Sequence, residues 1–199
     1  KIGSGDYSKY VSAPTQSYTF TLGNYNGEGF DTLGVTEIPA PRYIEETNLM
    51  KTSFITAGNR TAAYILYNSF GADDTETLQN MFVEIAARQP NDIILDLRYN
   101  PGGYVSTSQL LSTLLAPQNA MGQTFLNMTY NDKIAKTESY LFEPSLIPGG
   151  TPLAYENLYI ITSNNTASAS EIVINCLRPY LKERLLQVGT ATFGKNVAQ

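Results

Sequence analysis

The 199-residue chain contains no histidine. That absence excludes a Ser-His-Asp triad and any histidine-ligated metal. It has one cysteine, Cys176, too few for an internal disulfide or a thiolate zinc site. Positive charge is also scarce, with 13 Lys and Arg against 18 Asp and Glu and a net charge of −5. Phosphate contacts dominate nucleic-acid affinity, so an acidic chain without a basic run is a poor nucleic-acid binder. No apolar run reaches the ~18 residues of a membrane span. The opening Lys1–Asp6 lacks the apolar segment of a signal peptide, and composition alone leaves the compartment open. Were a Ser or Thr to act as a nucleophile here, its base would have to be Lys, Asp or Glu.

What is present is globular: 42% hydrophobic, 16% charged, with 15 Gly and 10 Pro. This length fits one full domain plus part of a neighbour, and it buries roughly 70% of its unfolded surface without staples. The first 45 or so residues are rich in Ser, Thr, Gly and Tyr. Ser17–Leu22 alternates apolar and hydroxyl side chains as a strand does, turn residues Gly23, Asn24, Asn26, Gly27 and Gly29 follow, and a second strand is predicted over Thr32–Ile38. Residues 1–47 therefore read as a β-rich segment or linker, and 48–199 as the core.

In the core, Lys51–Thr56 and Ala62–Tyr67 predict a hairpin around Ala57-Gly58-Asn59-Arg60. Asp73-Asp74-Thr75-Glu76 predicts a capping-box start for a helix that buries Leu78, Met81, Phe82 and Ile85 and ends at Pro90. The apolar run at 93–97 predicts a strand covered on both faces, 158–161 a second buried strand, and 185–188 and 124–129 two further strands. Helices are expected over Val105–Leu115 and around Ile172, Val173, Cys176, Leu177 and Leu181. Strands alternating with helices give an α/β fold with a largely parallel sheet.

Three segments have the residues for chemistry. Asn100-Pro101-Gly102-Gly103 lies beyond the carboxyl end of a strand, where its glycines allow backbone amides to face a cleft and hold an oxyanion. Taken alone it is also an ordinary strand-to-helix turn. Thr166-Ala167-Ser168-Ala169-Ser170-Glu171 opens a helix. There Ser168 and Glu171 make a capping box, and the same geometry sets a hydroxyl beside unpaired amides, so capping and catalysis compete for it. Gly189–Asn196 has the glycines and lysine of a phosphate-binding loop, but Asn196 replaces the hydroxyl that would hold magnesium. A solvated surface position is the common fate of a lysine such as Lys195.

In this order and spacing, Asp-Leu-Arg-Tyr-Asn-Pro-Gly-Gly (96–103), Thr-Ala-Ser-Ala-Ser-Glu (166–171) and Thr-Phe-Gly-Lys-x-x-x-Gln (192–199) resemble the signature of the tail-specific, or C-terminal processing, serine peptidases, relatives of the tricorn core protease. The resemblance runs from about residue 60 to 199. It implies Ser168 as nucleophile, Lys195 as general base and Gln199 as the residue orienting the lysine. The implied oxyanion donors are the amides of Ala169 and of Gly103, with Gly102 as the alternative. The implied fold is a crotonase/ClpP-like α/β core with helices flanking a largely parallel sheet, commonly preceded by a PDZ domain whose end 1–47 would be. In the family the domain continues beyond this motif, which implies a core truncated at its C-terminus, and a Gly usually stands at the position of Asn196. Asp96 and Arg98 are expected to shape the loop. The resemblance further implies cleavage of protein or peptide substrates near their C-termini, in the periplasm or cell envelope, without metal or cofactor. It leaves the oligomeric state open.

A lysine base meets the constraint set by the missing histidine. A free lysine, with a pKa of about 10.4, is uncharged in only about one molecule in 2,500 at pH 7. Service as a base calls for about 7–8, a shift worth roughly 3–5 kcal/mol that burial away from carboxylates supplies. Phe193 and Gly194 are expected to form that niche, as an apolar wall and a close backbone approach. Gln199 positions the amine without adding the negative charge that would restore the cation. Two rival readings are a non-catalytic relative that binds peptides in the same cleft and a crotonase-like acyl-CoA enzyme, for which the Ser168, Lys195 and Gln199 set has no purpose.

Overall fold

The computed structural model describes residues 16–42 and 47–195. The chain divides into two compact units, Lys1–Glu45 and Glu46–Gln199. In the first, β1 (Tyr18–Tyr25) and β2 (Phe30–Ile38) form an antiparallel hairpin. The predicted turn is shorter than its Gly and Asn content suggests, because a bulge between Leu22 and Gly23 keeps Gly23 and Asn24 in the ladder. The reversal falls at 26–29, where the Asn26 side chain accepts hydrogen bonds from the amides of Glu28 and Gly29.

The second unit is mixed α/β. Its sheet has the order β3-β4-β5-β8-β9, formed by β3 (Leu49–Ala57), β4 (Arg60–Tyr67), β5 (Asp92–Asp96), β8 (Asn157–Thr162) and β9 (Leu185–Gly189). The β3–β4 pair is antiparallel across a turn at Gly58-Asn59, and all the other pairings are parallel. Parallel strands need crossovers, which α1 (Thr75–Arg88), α2 (Val105–Leu115) and α3 (Ala169–Leu181) supply. A small hairpin, β6 (Thr124–Thr129) with β7 (Thr137–Leu141), fills the connection from α2 to β8. The sequence signals β6 but not β7, whose Thr-Glu-Ser-Tyr-Leu is too polar to stand out.

The core follows from the apolar pattern. Ile65, Ile93, Leu95, Leu97, Leu158 and Ile160 are fully buried, as are Leu78 and Ile85 of α1. Each such side chain contributes about 1.5–3 kcal/mol. All of Thr107–Leu115 is buried, and α2 packs against both α1 and α3. On α3 the core positions are Val173, Ile174, Leu177 and Leu181, whereas Ile172 and Cys176 are only half-buried.

One expected cap is not formed. Asp74 is the N-cap of α1 but makes no side-chain cap hydrogen bond. Its carboxylate instead accepts from the Tyr67 hydroxyl, the Gly71 amide at 2.9 Å and the Asn48 amide group at 2.9 Å, fastening the loop that leaves β4. Among the described residues no helix is long and apolar enough to cross a membrane.

Candidate active site

Because β4, β5, β8 and β9 run parallel, the segments leaving them emerge at one edge of the sheet. These are the loop around Phe70, the Pro-Gly-Gly loop, the Ser168 loop and the 190–195 segment. Parallel sheets carry their ligand sites at this edge.

Asn100, fully buried, organises the second of these loops. Its Nδ2 donates to the Tyr67 carbonyl at 3.0 Å and its Oδ1 accepts the Gly102 amide at 2.9 Å. Its carbonyl takes the Ala167 amide at 3.1 Å and the Ser170 hydroxyl at 3.0 Å. One residue thus links the chain after β4, the glycine turn and the mouth of α3. The sequence marked it only as a member of the Asn-Pro-Gly-Gly motif, with no role of its own. Gly102 has φ +110°, and a Cβ there would stand 2.7 Å from the Ser168 Cβ. Gly103, at φ +142°, pairs with Phe70 so tightly that a Cβ would meet the Phe70 carbonyl oxygen at 2.2 Å. The Gly103 amide makes no hydrogen bond among the described residues.

Below the loop, Asp96 is fully buried. It accepts from the Tyr64 hydroxyl at 2.7 Å and from the Arg98 guanidinium at 2.6 Å. Burial opposes its ionisation, but the hydrogen bonds from Arg98 and Tyr64 outweigh it and hold the carboxyl below the usual carboxylate range. This geometry fits a loop-shaping role.

The Ser168 loop contains three hydroxyls with different surroundings. Thr166, fully buried, donates to the Leu97 carbonyl at 2.7 Å and accepts the Ser163 amide at 3.0 Å. Ser170 is spent on Asn100. Ser168 is half-buried, and its hydroxyl is tied to neither neighbouring loop; it stays with its own helix, where the Ser168 side chain and the Glu171 backbone form one half of a capping box. In the other half the Glu171 carboxylate accepts the Ser168 amide at 2.8 Å, and the Glu171 amide also donates to the Ser168 carbonyl at 2.8 Å. Ser168 has φ 57° and ψ −117°, a region that a non-glycine residue enters at about 1–3 kcal/mol. Lys182, at the other end of α3, has similar angles but is exposed. The strain singles out Ser168 only in combination with its surroundings. At the first turn of α3 the Ala169 amide makes no hydrogen bond among the described residues.

The 190–195 segment is docked by its backbone. The Phe193 amide donates to the Thr166 carbonyl at 2.9 Å, and Glu171 accepts from the Thr192 hydroxyl at 2.7 Å and the amides of Gly194 at 2.6 Å and Lys195 at 3.0 Å. Burial works against ionisation of Glu171, but these hydrogen bonds and that of Ser168 prevail, and its carboxyl lies below the usual range. Its part as a clamp between two segments went beyond the cap expected from sequence.

Among the described residues the niche expected around the lysine is not formed. Phe193 is 70% exposed, a Cβ on Gly194 would meet open space, and Lys195 is exposed. The amides of 193–195 turn inward to Thr166 and Glu171, leaving the side chains of Phe193 and Lys195 at the rim. Both line an open cleft of about 480 Å³ together with Tyr99, Pro101, Asn165 and Ala167, so the immediate neighbours of Gly102 and Ser168 share one depression with the lysine. A larger cavity, about 600 Å³, opens beside Pro90 and Tyr155 at the opposite edge of the parallel strands and carries none of the candidate residues. Gln199 and Asn196 lie outside the described residues. Among the described residues no three Asp, Glu or Cys side chains converge to hold a metal.

Known proteins resemble this chain over most of its length. The chain is 28% identical over 186 residues to carboxyl-terminal-processing peptidase 3 of Arabidopsis thaliana, a match covering 91% of this chain and 33% of that protein. It is 29% identical over 136 residues to the carboxyl-terminal-processing protease of a Picosynechococcus species, covering 68% and 30%. Its fold superimposes with a TM-score of 0.76 on a Bacteroides fragilis crystal structure assigned to the S41 proteases, at 31% identity over 93% of this chain and 50% of that one. The chain spans about a third of the length of these curated relatives. Residues 61–199 match peptidase family S41, and the chain belongs to that family.

Proposed function

We propose that the protein is a serine endopeptidase in which Ser168 is the nucleophile, Lys195 the general base and Gln199 the residue that orients the lysine. Its substrates are proteins or peptides, cut near their C-termini. The observation that carries this reading is the contrast among the three hydroxyls of the Ser168 loop. Two are consumed in holding loops together, and the third is bound to no other loop and stands at a helix mouth on strained backbone.

In this mechanism the neutral Lys195 amine takes the Ser168 proton as Oγ bonds to the substrate carbonyl carbon. The carbonyl π electrons move to oxygen, and that oxyanion sits against the amides of Ala169 and Gly103. Gly103 is favoured over Gly102, whose amide is already given to Asn100. Collapse breaks the C–N bond, and the departing amine takes the proton from the Lys195 ammonium. Water then attacks the ester and gives a proton to Lys195. The acyl–Oγ bond breaks, and the proton returns to Ser168. With the Lys195 side chain at the rim, closure of this cleft on a bound substrate has to exclude the water that stabilises the cation.

The central mixed sheet with its crossover helices supports a crotonase/ClpP-like core for 48–199, and the β1–β2 hairpin is consistent with 1–47 ending a PDZ-type domain. The extracytoplasmic setting rests on the family resemblance. In the full chain, Ser168→Ala and Lys195→Ala should each lower cleavage of fluorescein-labelled casein by about 10⁴-fold with unchanged circular dichroism. Cleavage that persists in Lys195→Ala overturns the assignment of the base.

A further inference from the structure

We propose that Glu171 is a positioning residue whose carboxylate docks the 192–195 segment onto the backbone of Ser168 and so sets the approach of Lys195 to the nucleophile. The proposal rests on the Ser168–Lys195 reading above.

A capping carboxylate needs only one oxygen directed at the start of its own helix. Glu171 uses both. Oε2 takes the Ser168 amide and the Lys195 amide, and Oε1 takes the Thr192 hydroxyl and the Gly194 amide. Three of these donors come from a segment 21 to 24 residues further along the chain. The mount is rigid, because Val173 and Leu177 on the same helix are fully buried. Among the described residues the docked segment has little else to hold it. Besides Glu171, its 192–195 backbone is fixed by the Phe193 amide on Thr166, and the side chains of Phe193 and Lys195 are exposed.

The donor set also excludes close substitutes. A carboxylate is acceptor-only, whereas a carboxamide presents NH2 on one side. In one orientation that NH2 faces the Gly194 amide, and in the other it faces the amides of Ser168 and Lys195. An aspartate is one methylene shorter, about 1.5 Å, too short to reach both loops. The hydrogen bonds that keep the carboxyl ionised are the same ones that hold the segment.

The test is Glu171→Gln in the full chain, read with a fluorophosphonate and by amide hydrogen exchange. The expected result is a fall of at least tenfold in the limiting rate of Ser168 phosphonylation, with less than a twofold change in the inhibitor's KI. Protection of the Gly194 and Lys195 amides should be lost while that of α3 persists. A role confined to capping would lower Tm and leave the limiting rate of the folded protein unchanged, and that outcome overturns the proposal. If Ser168 of the wild type is not labelled, it is the peptidase reading that fails, and exchange alone then decides. Lost protection of Gly194 and Lys195 upholds the docking, and unchanged protection overturns it. Should Glu171→Gln not fold, Thr192→Val removes a single donor and is expected to slow phosphonylation about threefold at constant KI. An unchanged rate and unchanged exchange in that variant overturn the proposal equally.

Discussion

At Ser168 two requirements meet in one residue. Its backbone has to turn sharply from β8 into α3, and its hydroxyl has to stay clear of the bonds that tie the neighbouring loops together. Gly102 makes room for that turn. Gly102→Ala would place a methyl 2.7 Å from the Ser168 Cβ at a φ of +110°. We expect it to destabilise the protein by about 1–3 kcal/mol and to lower Ser168 reactivity at least a hundredfold, as read by denaturant unfolding and probe labelling. At Asp96 the sign of the pH effect follows from the direction of its shift. A carboxyl held below its unfolded value contributes stability that is present above the ordinary carboxylate range and is lost as pH falls through the folded value. The stability gap between wild type and Asp96→Asn should therefore be largest near neutral pH and should close on acidification, when both side chains are uncharged. A gap independent of pH would contradict the pairing with Arg98.

Among the elements, the loops at the carboxyl edge of the sheet depend on one another through Asn100. Asn100→Ala would leave the Tyr67 carbonyl and the Gly102 amide unpaired, each worth about 1–3 kcal/mol when buried. It should lower Tm and also free the Gly102 amide to compete with Gly103 at the proposed oxyanion position. Amide exchange at Gly102 is expected to be slow in the wild type and fast in the variant. The regular elements themselves were legible from periodicity: the face of α1 with Leu78, Met81, Phe82 and Ile85, the hairpin around Gly58-Asn59, and the parallel strands with their apolar runs. What escaped was set by contacts remote in sequence. Asp74 reads as a cap, but Tyr67, Gly71 and Asn48 claim its carboxylate. Gly23 and Asn24 read as a turn, and the ladder absorbs them as a bulge.

For the whole molecule, the parallel order of β4, β5, β8 and β9 gathers four distant stretches of chain at one edge, and three of them are the motifs that marked the sequence. Their kinship was legible because spacing and order survive in linear sequence. The packing that joins them was not, since Asn100 and the clamp of Glu171 act through carbonyls and amides that every residue carries. The niche foreseen around Phe193 and Gly194 failed for the same reason, as inward-turned amides decide where those side chains go. The central claim is that a lysine does the work of the missing histidine on a single serine. It is tested most directly by mass spectrometry of fluorophosphonate adducts on the wild type and on Lys195→Arg, which keeps the charge but cannot give up its proton. The account predicts a time-dependent adduct on Ser168 in the wild type and none in Lys195→Arg, while equal labelling of both, or an adduct on another residue, would contradict it.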